Sequence, residues 1–441
     1  YSQCANLSAQ LRVLQHEIKA DYLFIASVNE DKLATTQLVL HNAEVVDNFS
    51  YSLEGSPCEQ LPSKSACFIT DELQQHYPEN KLLKTINAQA YIESCDPNAI
   101  MFTIGDNDTF PLWYMQEAEG IRTDIKLVNT SLFQTDWYID QMKKKTYKAD
   151  PIPSALTHKE YTYGTLDAAY YFEELAAVPK DSVLALKDFM RWVRSKNERT
   201  FYDLEGDKVP EKILPTNKIR IPVNKENALK YGIVAQKDAD KMVDYIDITI
   251  EGGIGKNSIL MLDILNNFDW KRPIYFTGGS NSDSEYIWMK DYLQLDGLAF
   301  KLVPIHTPIG NKTMFDMGRI DTEKMYNNVK KWNFRNINDG KIYLDQQSKK
   351  NAISMRNNLM RLAEAFTKEG NTIKANEILD LSIDKMPIRD FGHHNFSIGY
   401  PELYYKAGNK EKARQTANTM LDIIEQKLLK TLINVLKCSF I

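Results

Sequence analysis

The stretch Ala99–Asp140, AIMFTIGDNDTFPLWYMQEAEGIRTDIKLVNTSLFQTDWYID, constrains the fold more than any other part of the chain. An apolar run, Ala99–Ile104, stops at Gly105-Asp106-Asn107-Asp108. A helix-like segment, Thr109–Glu119, follows, with Pro111 near its start and Gly120 just past its end, the asymmetry that helix termini favour. A second apolar run, Ile125–Val128, leads to another polar turn and to Asp136-Trp137. Strand, acidic turn, helix and strand within about thirty residues outline a βαβ unit. Ligands of such units meet the loops beyond the carboxyl ends of the strands. Asp106, Asp108 and Asp136 all fall on that side.

The acidic turns admit two chemistries. Asp106 and Asp108 come from one loop, and Asp136 joins them from beyond the neighbouring strand. Carboxylates gathered in this way suit Mg²⁺, Mn²⁺ or Ca²⁺, which prefer oxygen ligands. One of them would equally serve as a general base or grip sugar hydroxyls. The same residue types also start helices, because Asp and Thr accept hydrogen bonds from orphan backbone N–H groups and the helix dipole favours their charge. Capping by Asp108 or Thr109, and by Asp136 at the next helix, is the plainer reading.

Phe110, Trp113, Tyr114, Phe133, Trp137 and Tyr138 crowd the same place. Sugar C–H faces lie on aromatic rings while hydroxyls bond to acids, so rings beside carboxylates suit a glycan cleft. Phe110, Trp113 and Tyr114 also stand at i, i+3, i+4, as one buried helix face would, and that spacing favours core packing. The expected binding residues are Asp106, Asn107, Asp108, Trp113, Tyr114, Asp136 and Trp137, with Asp106, Asp108 and Asp136 as the ligand set for a divalent cation.

At 441 residues the chain has room for two to four domains. Its 54 basic and 59 acidic residues give a net charge of −5, without the basic field that displaces counterions from phosphates, which argues against general nucleic-acid binding. No apolar run approaches the roughly twenty residues that cross a bilayer. The start, YSQCANLSAQ, lacks both an initiator Met and a signal-peptide pattern, so it reads as a piece of a longer chain. The five cysteines are scattered with no CxxC pair, which argues against zinc.

Residues 1–93 differ in style from the rest of the chain. A helix-like start, Leu7–Ile18, leads to strands at Tyr22–Val28 and Thr35–Leu40 around the turn Asn29–Lys32. The segment VDNFSYSLEGSPC (Val46–Cys58), with Cys67, His76-Tyr77-Pro78 and Leu82–Tyr91, resembles a GAF sensory domain. That resemblance implies an α+β sheet with a strand over Leu82–Tyr91, but it stops before the family's last strands, and the open edge left there argues against ligand sensing.

From Tyr91 onward the chain resembles another family. The run from Tyr91 to Met142, then RPIYFTGG (Arg272–Gly279), DYLQLDGLAFKLVPI (Asp291–Ile305) and YYKAGNKEKARQTANTMLDIIEQKL (Tyr404–Leu428), matches in order the soluble region of a Bacteroidota membrane-protein family described as protein O-mannosyltransferase-like. Members place a multi-spanning glycosyltransferase-C-type portion before such a region. The resemblance implies an inner-membrane context with this region on the periplasmic side. It also implies a glycan, a lipid-linked sugar or an acceptor protein as partner, and catalysis in the membrane portion that is missing here.

Between Pro151 and Val243 the pattern gives a helix over Asp181–Arg194 and a strand over Lys218–Val223, placed at a sheet edge because it contains Pro222. Tyr245–Ile250 alternates as a strand, Ile259–Leu265 suits a helix or a buried strand, and Arg272–Thr277 reads as a strand ending in Gly278-Gly279. Glu251–Ser258 lacks the first Gly and the Lys-Ser/Thr pair of a P-loop and reads as a glycine turn. His393-His394 has no third metal ligand at useful spacing and reads as an inter-helix loop.

After Lys341 the pattern turns helical. Leu359–Lys368, Gly370-Asn371 and Lys374–Lys385 return as Glu402–Ala407, Gly408-Asn409 and Glu411–Glu425, and Gly370 and Ala375 recur as Gly408 and Ala413 after 38 residues. This lies near the tetratricopeptide period, and two such units need another surface to complete their core. The sequence therefore predicts a GAF-like α+β segment (1–93), a layered α/β domain (94–340), tetratricopeptide-like hairpins docked on it (341–430) and an apolar tail (431–441). The leading functional expectation is a non-catalytic accessory domain of a membrane glycosyltransferase-like protein. The alternatives are a metal-assisted glycosyl or phosphoryl transferase and a GAF-type small-molecule sensor.

Overall fold

The computed structural model describes residues 22–28, 33–41, 44–46 and 50–52, and then 88–438 except 205, 207–208, 279, 281, 311–312, 335–345 and 392–393. The chain divides into two compact units, Tyr1–Thr85 and Ile86–Ile441. In the first, strand β1 (Tyr22–Val28) pairs antiparallel with β2 (Leu33–His41), which also pairs with β3 (Glu44–Val46) and β4 (Ser50–Ser52). The expected helix Leu7–Ile18, Cys58, Cys67 and His76-Tyr77-Pro78 lie outside the described residues. Where a strand was expected up to Tyr91, Ala88–Glu93 is instead a helix, α1, of the second unit. Ala88 and Ile92 bury with Met101 and Tyr275 while Ala90 packs in the other apolar cluster; a strand would turn all three to one face, and a helix separates them.

The second unit is built on a five-stranded sheet. β5 (Ile100–Thr103) runs into helix α2 (Gly105–Glu117) and on to β6 (Lys126–Asn129), followed by helix α3 (Asp136–Met142). Helix α4 (Lys256–Asn267) leads into β7 (Ile274–Phe276), and β8 (Leu293–Leu295) and β9 (Phe300–Leu302) form a closing hairpin. The strand order is β8-β9-β7-β5-β6, with β6, β5 and β7 parallel. Phe102 faces Val128 on one side and Phe276 on the other. Alternation sends Ile100, Phe102 and Val128 to one face, with Ile259, Leu260 and Ile264 of α4. Met101, Leu127 and Tyr275 go to the other, with Leu112 and Met115 of α2. Parallel strands covered on both faces are apolar throughout, as β5 and β7 are.

Chain order fixes where a ligand would sit. From β5 the chain crosses to β6 on one side and later returns to β7 on the other, so strand order reverses at the β5–β7 boundary. In open α/β sheets the crevice that binds ligands lies beyond the carboxyl ends of the strands at such a reversal; here Thr103, Asn129 and Thr277 at those ends are buried.

Two elements differ from expectation. Lys218–Pro222 is central in a three-stranded sheet, antiparallel to Tyr245–Thr249 and parallel to Leu184–Ala185, not an edge. Pro222 is its last residue, beyond the pairs made with Leu184 and Ala185, so its missing N–H breaks no ladder bond there. The helix expected over Asp181–Arg194 is shortened to Leu186–Val193 because Leu184-Ala185 joins that sheet.

At the amino end of the main sheet lies a buried charge network. Asp96 accepts from Lys301 Nζ at 2.6 Å and from Lys324 on helix α5 (Thr322–Val329). The Tyr275 hydroxyl lies 3.1 Å from Asp96 and 2.8 Å from Asp296, which is fully buried. Burial alone would raise the Asp96 carboxyl, but the charges of Lys301 and Lys324 outweigh it and hold it at about 2.

The helical part follows the repeat. Helices α6 (Gln346–Lys368) and α7 (Thr372–Lys385) form one hairpin, and α8 (Gly399–Lys406) and α9 (Lys410–Cys438) the next. Gly370 and Gly408 adopt φ of +80° and +81°, and Asn371 and Asn409 each accept the backbone N–H three residues on. The same left-handed glycine and Asn cap therefore close both turns. The hairpins dock on the α/β layer: Arg361 donates to the carbonyls of Asp316, Met317 and Gly318, and Asn358 to that of Gly297. Thr431–Cys438, expected as a tail, continue α9. Among the described residues no helix is long and apolar enough to cross a membrane.

Candidate functional site

The GDND residues do not precede their helix; they are its first turn. Gly105, at φ +72°, turns the chain sharply out of β5, and Asp106, Asn107 and Asp108 already lie within α2. Asp106 is exposed, and the Asn107 side chain lies outside the described residues. Asp108 points back into the β5–β7 crevice. Its Oδ2 accepts the Thr277 hydroxyl at 2.8 Å from just beyond β7, and it also accepts the backbone N–H of Ile104. Burial pushes its carboxyl above the ordinary range, with these two donors pulling the other way.

Around Asp108 the crevice is polar. The Thr103 and Thr109 hydroxyls lie 2.7 Å apart, Asn129 Nδ2 donates to Thr109 Oγ1 at 2.8 Å, and Thr130 donates to the Thr103 carbonyl at 3.1 Å. The Thr130 hydroxyl also reaches the Glu285 carboxylate, which burial pushes up. Tyr286, pushed up to about 12 chiefly by burial, and Tyr91 both feel the Asp108 charge. Three strand tips thus supply one polar lining, and two of its acids are held above their ordinary range. A carboxyl held above its ordinary range keeps its proton to higher pH.

Asp136 takes no part. It lies half-buried in the first turn of α3 and accepts the Tyr163 N–H at 3.3 Å. Among the described residues no group of three or more His, Cys, Asp and Glu side chains could hold a metal ion. Asp106, Asp108 and Asp136 are therefore not a ligand set, because Asp108 turns toward β7 while Asp136 serves the far loop. Neither N-cap residue, Ile104 or Thr135, uses its own side chain as a cap; the Asp108 carboxylate instead accepts the Ile104 N–H at the start of α2, and the Asp136 carboxylate its own N–H at the start of α3.

The aromatic residues divide differently from their spacing. The buried face of α2 is Thr109, Leu112 and Met115, while Phe110 is 53% exposed and Trp113 half-buried. Tyr114 is also half-buried and donates to Glu119 at 2.9 Å. Phe133 and Tyr138 enter the core, whereas Trp137 is 59% exposed. Trp113 of α2 and Trp137 of α3 line one groove of about 270 Å³, with Gln116, Glu117, Gln141 and Tyr147 beside them. Tyr147, itself in the left-handed region, donates to Glu117 at 2.5 Å. Lys126 lies at the base, where burial lowers its ammonium to about 8 and it donates to Thr146 Oγ1 and the Lys144 carbonyl.

The structure thus unites Trp113 with Trp137 and places Asp108 at the strand tips, but it does not unite the three carboxylates. Thr277, Glu285 and Tyr147 were missed. RPIYFTGG marked a strand end at Thr277, yet nothing local shows which neighbour that end would meet.

A family model described as TMEM260-associated domain 2 matches residues 85–324, just over half of the chain. The chain belongs to this family. It is a membrane-protein-associated domain family, and its matched span holds both the strand-tip crevice and the groove. No curated protein and no solved structure matches the chain.

Proposed function

We propose that residues 86–441 act as an accessory region of a membrane-bound glycosyltransferase-like protein, on the extracytoplasmic side, and hold a glycan in the Trp113–Trp137 groove. The observation that carries this reading is the groove itself. It is lined by an indole from each of two helices and by Gln116, Glu117 and Gln141; Gln116 Nε2 is held by the Arg122 and Ile125 carbonyls, and Glu117 and Gln141 are the polar groups turned to the groove. Indole faces offer stacking surface to sugar C–H groups, and the amide and acid offer bonds to hydroxyls. The volume is at the small end for a ligand pocket and suits a short glycan segment. Family membership and the resemblance to O-mannosyltransferase-like proteins support the membrane and sugar parts of the reading.

The test is calorimetric titration of the purified chain with neutral mannose-containing oligosaccharides. Trp137 is exposed, so Trp137→Ala leaves the fold intact and lowers affinity by about five- to tenfold, the effect of losing one stacked ring. Absence of binding to every oligosaccharide, or unchanged affinity in both Trp113→Ala and Trp137→Ala, refutes the assignment.

A second reading, that the chain catalyses group transfer, is favoured by Asp108 and Glu285 alone. Turnover of a glycosyl donor that disappears in Asp108→Asn while the melting temperature holds would establish it over the accessory role.

A further inference from the structure

A second and larger cleft, of about 690 Å³, opens where the loop after β7 meets the segment after β9. Trp288 and Tyr292 supply its rings, and the acids Asp247, Asp283 and Asp291 line it. Two of the acids have a cation at hand, and the third faces an imidazole. Asp247 accepts two bonds from the Arg220 guanidinium, at 2.8 and 2.7 Å. Asp283 lies in the field of Lys290 and accepts that residue's backbone N–H. Asp291 faces His306 Nε2 at 3.8 Å and accepts the Ile309 N–H at 2.9 Å. The His306 ring in turn packs on Tyr292 with centroids 5.2 Å apart.

The turn that presents Trp288 is unusual. Ile287 and Trp288 are consecutive bulky residues at φ of +54° and +56°, a conformation such residues adopt only where the surroundings impose it. Ile287 is buried and anchors the turn, which leaves Trp288 beside the cleft.

Charge compensation narrows the ligand. A phosphate would meet three carboxylates, and a polyamine would meet Lys290 and the Arg220 guanidinium and find Asp247 and Asp283 already engaged by them, so a strongly charged ligand of either sign is opposed. What remains is a dense array of donors and acceptors beside two aromatic rings, which matches a neutral polyhydroxylated molecule. We propose that this cleft is a saccharide-binding site distinct from the Trp113–Trp137 groove, selecting uncharged sugars. It rests on its own residues and stands or falls apart from the groove.

The chain's six tryptophans make the two sites separately visible. The full chain, labelled with 5-fluorotryptophan and assigned by single Trp→Phe substitutions, is titrated with mannotriose and cellotriose, and with spermidine and inorganic phosphate. The Trp288 signal is expected to shift with a neutral trisaccharide. Asp291→Asn, which keeps an acceptor for Ile309, and His306→Ala, at a half-exposed site, are expected to weaken that response about tenfold or more, while the Trp113 and Trp137 signals titrate as before. A Trp288 signal that ignores both trisaccharides overturns the assignment. So does one that moves at lower concentrations of spermidine or phosphate, or one whose midpoint is unchanged in both variants. If Trp288 responds and Trp113 and Trp137 do not, the groove assignment fails and this one holds.

Discussion

Replacing Asp96 by Asn tests how the sheet, α1 and α5 are held together. Asp96 meets the Tyr275 hydroxyl and two ammonium groups, and one of them, Lys301, is only 2% exposed. Asp96→Asn leaves that cation buried without its counter-charge, a defect that costs about 3–5 kcal/mol. The pH dependence gives an independent figure. The folded carboxyl is held at about 2 against an ordinary 3.8, a depression of nearly two units that corresponds to about 2–3 kcal/mol. Because the folded value is depressed, this stability is present above pH 4 and is lost as the pH falls toward 2. All six tryptophans lie between Trp113 and Trp332, so tryptophan fluorescence during urea unfolding follows the second unit alone. With a slope of about 3 kcal/mol/M, the midpoint of Asp96→Asn at pH 7 falls by about 1 M or more. The gap to the natural chain narrows as the pH drops from 4 to 2. Asp296→Asn has a smaller effect, since burial already holds that carboxyl above its ordinary range and an amide replaces it closely. A midpoint at pH 7 within ~0.3 M of the natural chain, or a gap that stays constant down to pH 2, refutes the ion-pair argument.

Other outcomes rest on the same geometry. Thr277→Val removes the hydroxyl donor to Asp108, costs about 1–2 kcal/mol at pH 7 and raises the Asp108 carboxyl further. Its folded value already lies above the ordinary one, so the variant loses more stability than the natural chain as the pH rises through that value, which urea titrations at pH 4 and pH 7 would show. Gly370→Ala and Gly408→Ala meet no atoms within 4 Å, so each costs only the left-handed backbone term of about 1–2 kcal/mol, read as a lower melting temperature of the helical signal. Arg361→Ala removes bonds to three consecutive carbonyls and exposes 346–438 to proteolysis faster than the α/β layer, as limited digestion followed by mass spectrometry would show.

The site was legible in part. The crevice lies at the strand ends that the βαβ pattern of Ala99–Asp140 indicated, and both Trp113 and Trp137 line a groove. The sequence pattern did not show that Asp108 reaches Thr277, 169 residues away, or that Asp136 faces elsewhere. Spacing places a residue on a helix, but which partner that helix meets is a matter of contacts far apart in the chain.

The amino-acid sequence alone determined the local elements, because their causes are local. The runs around Ile100–Thr103 and Lys126–Asn129 are apolar enough to be buried strands, and Gly-Asn pairs end and restart the helices at 370–371 and 408–409 through a left-handed residue and an Asn cap. Only the tertiary structure decided which face of α2 turned inward. The sheet buries Leu112 and Met115, leaving Phe110 exposed and Trp113 at the groove, although the helical period permits either choice. The same holds for Gly105–Asp108: the residues suit a turn or a first helical turn, and the carboxylate's bonds to Thr277 and to the Ile104 N–H, formed only once β7 lies beside β5, accompany the helix.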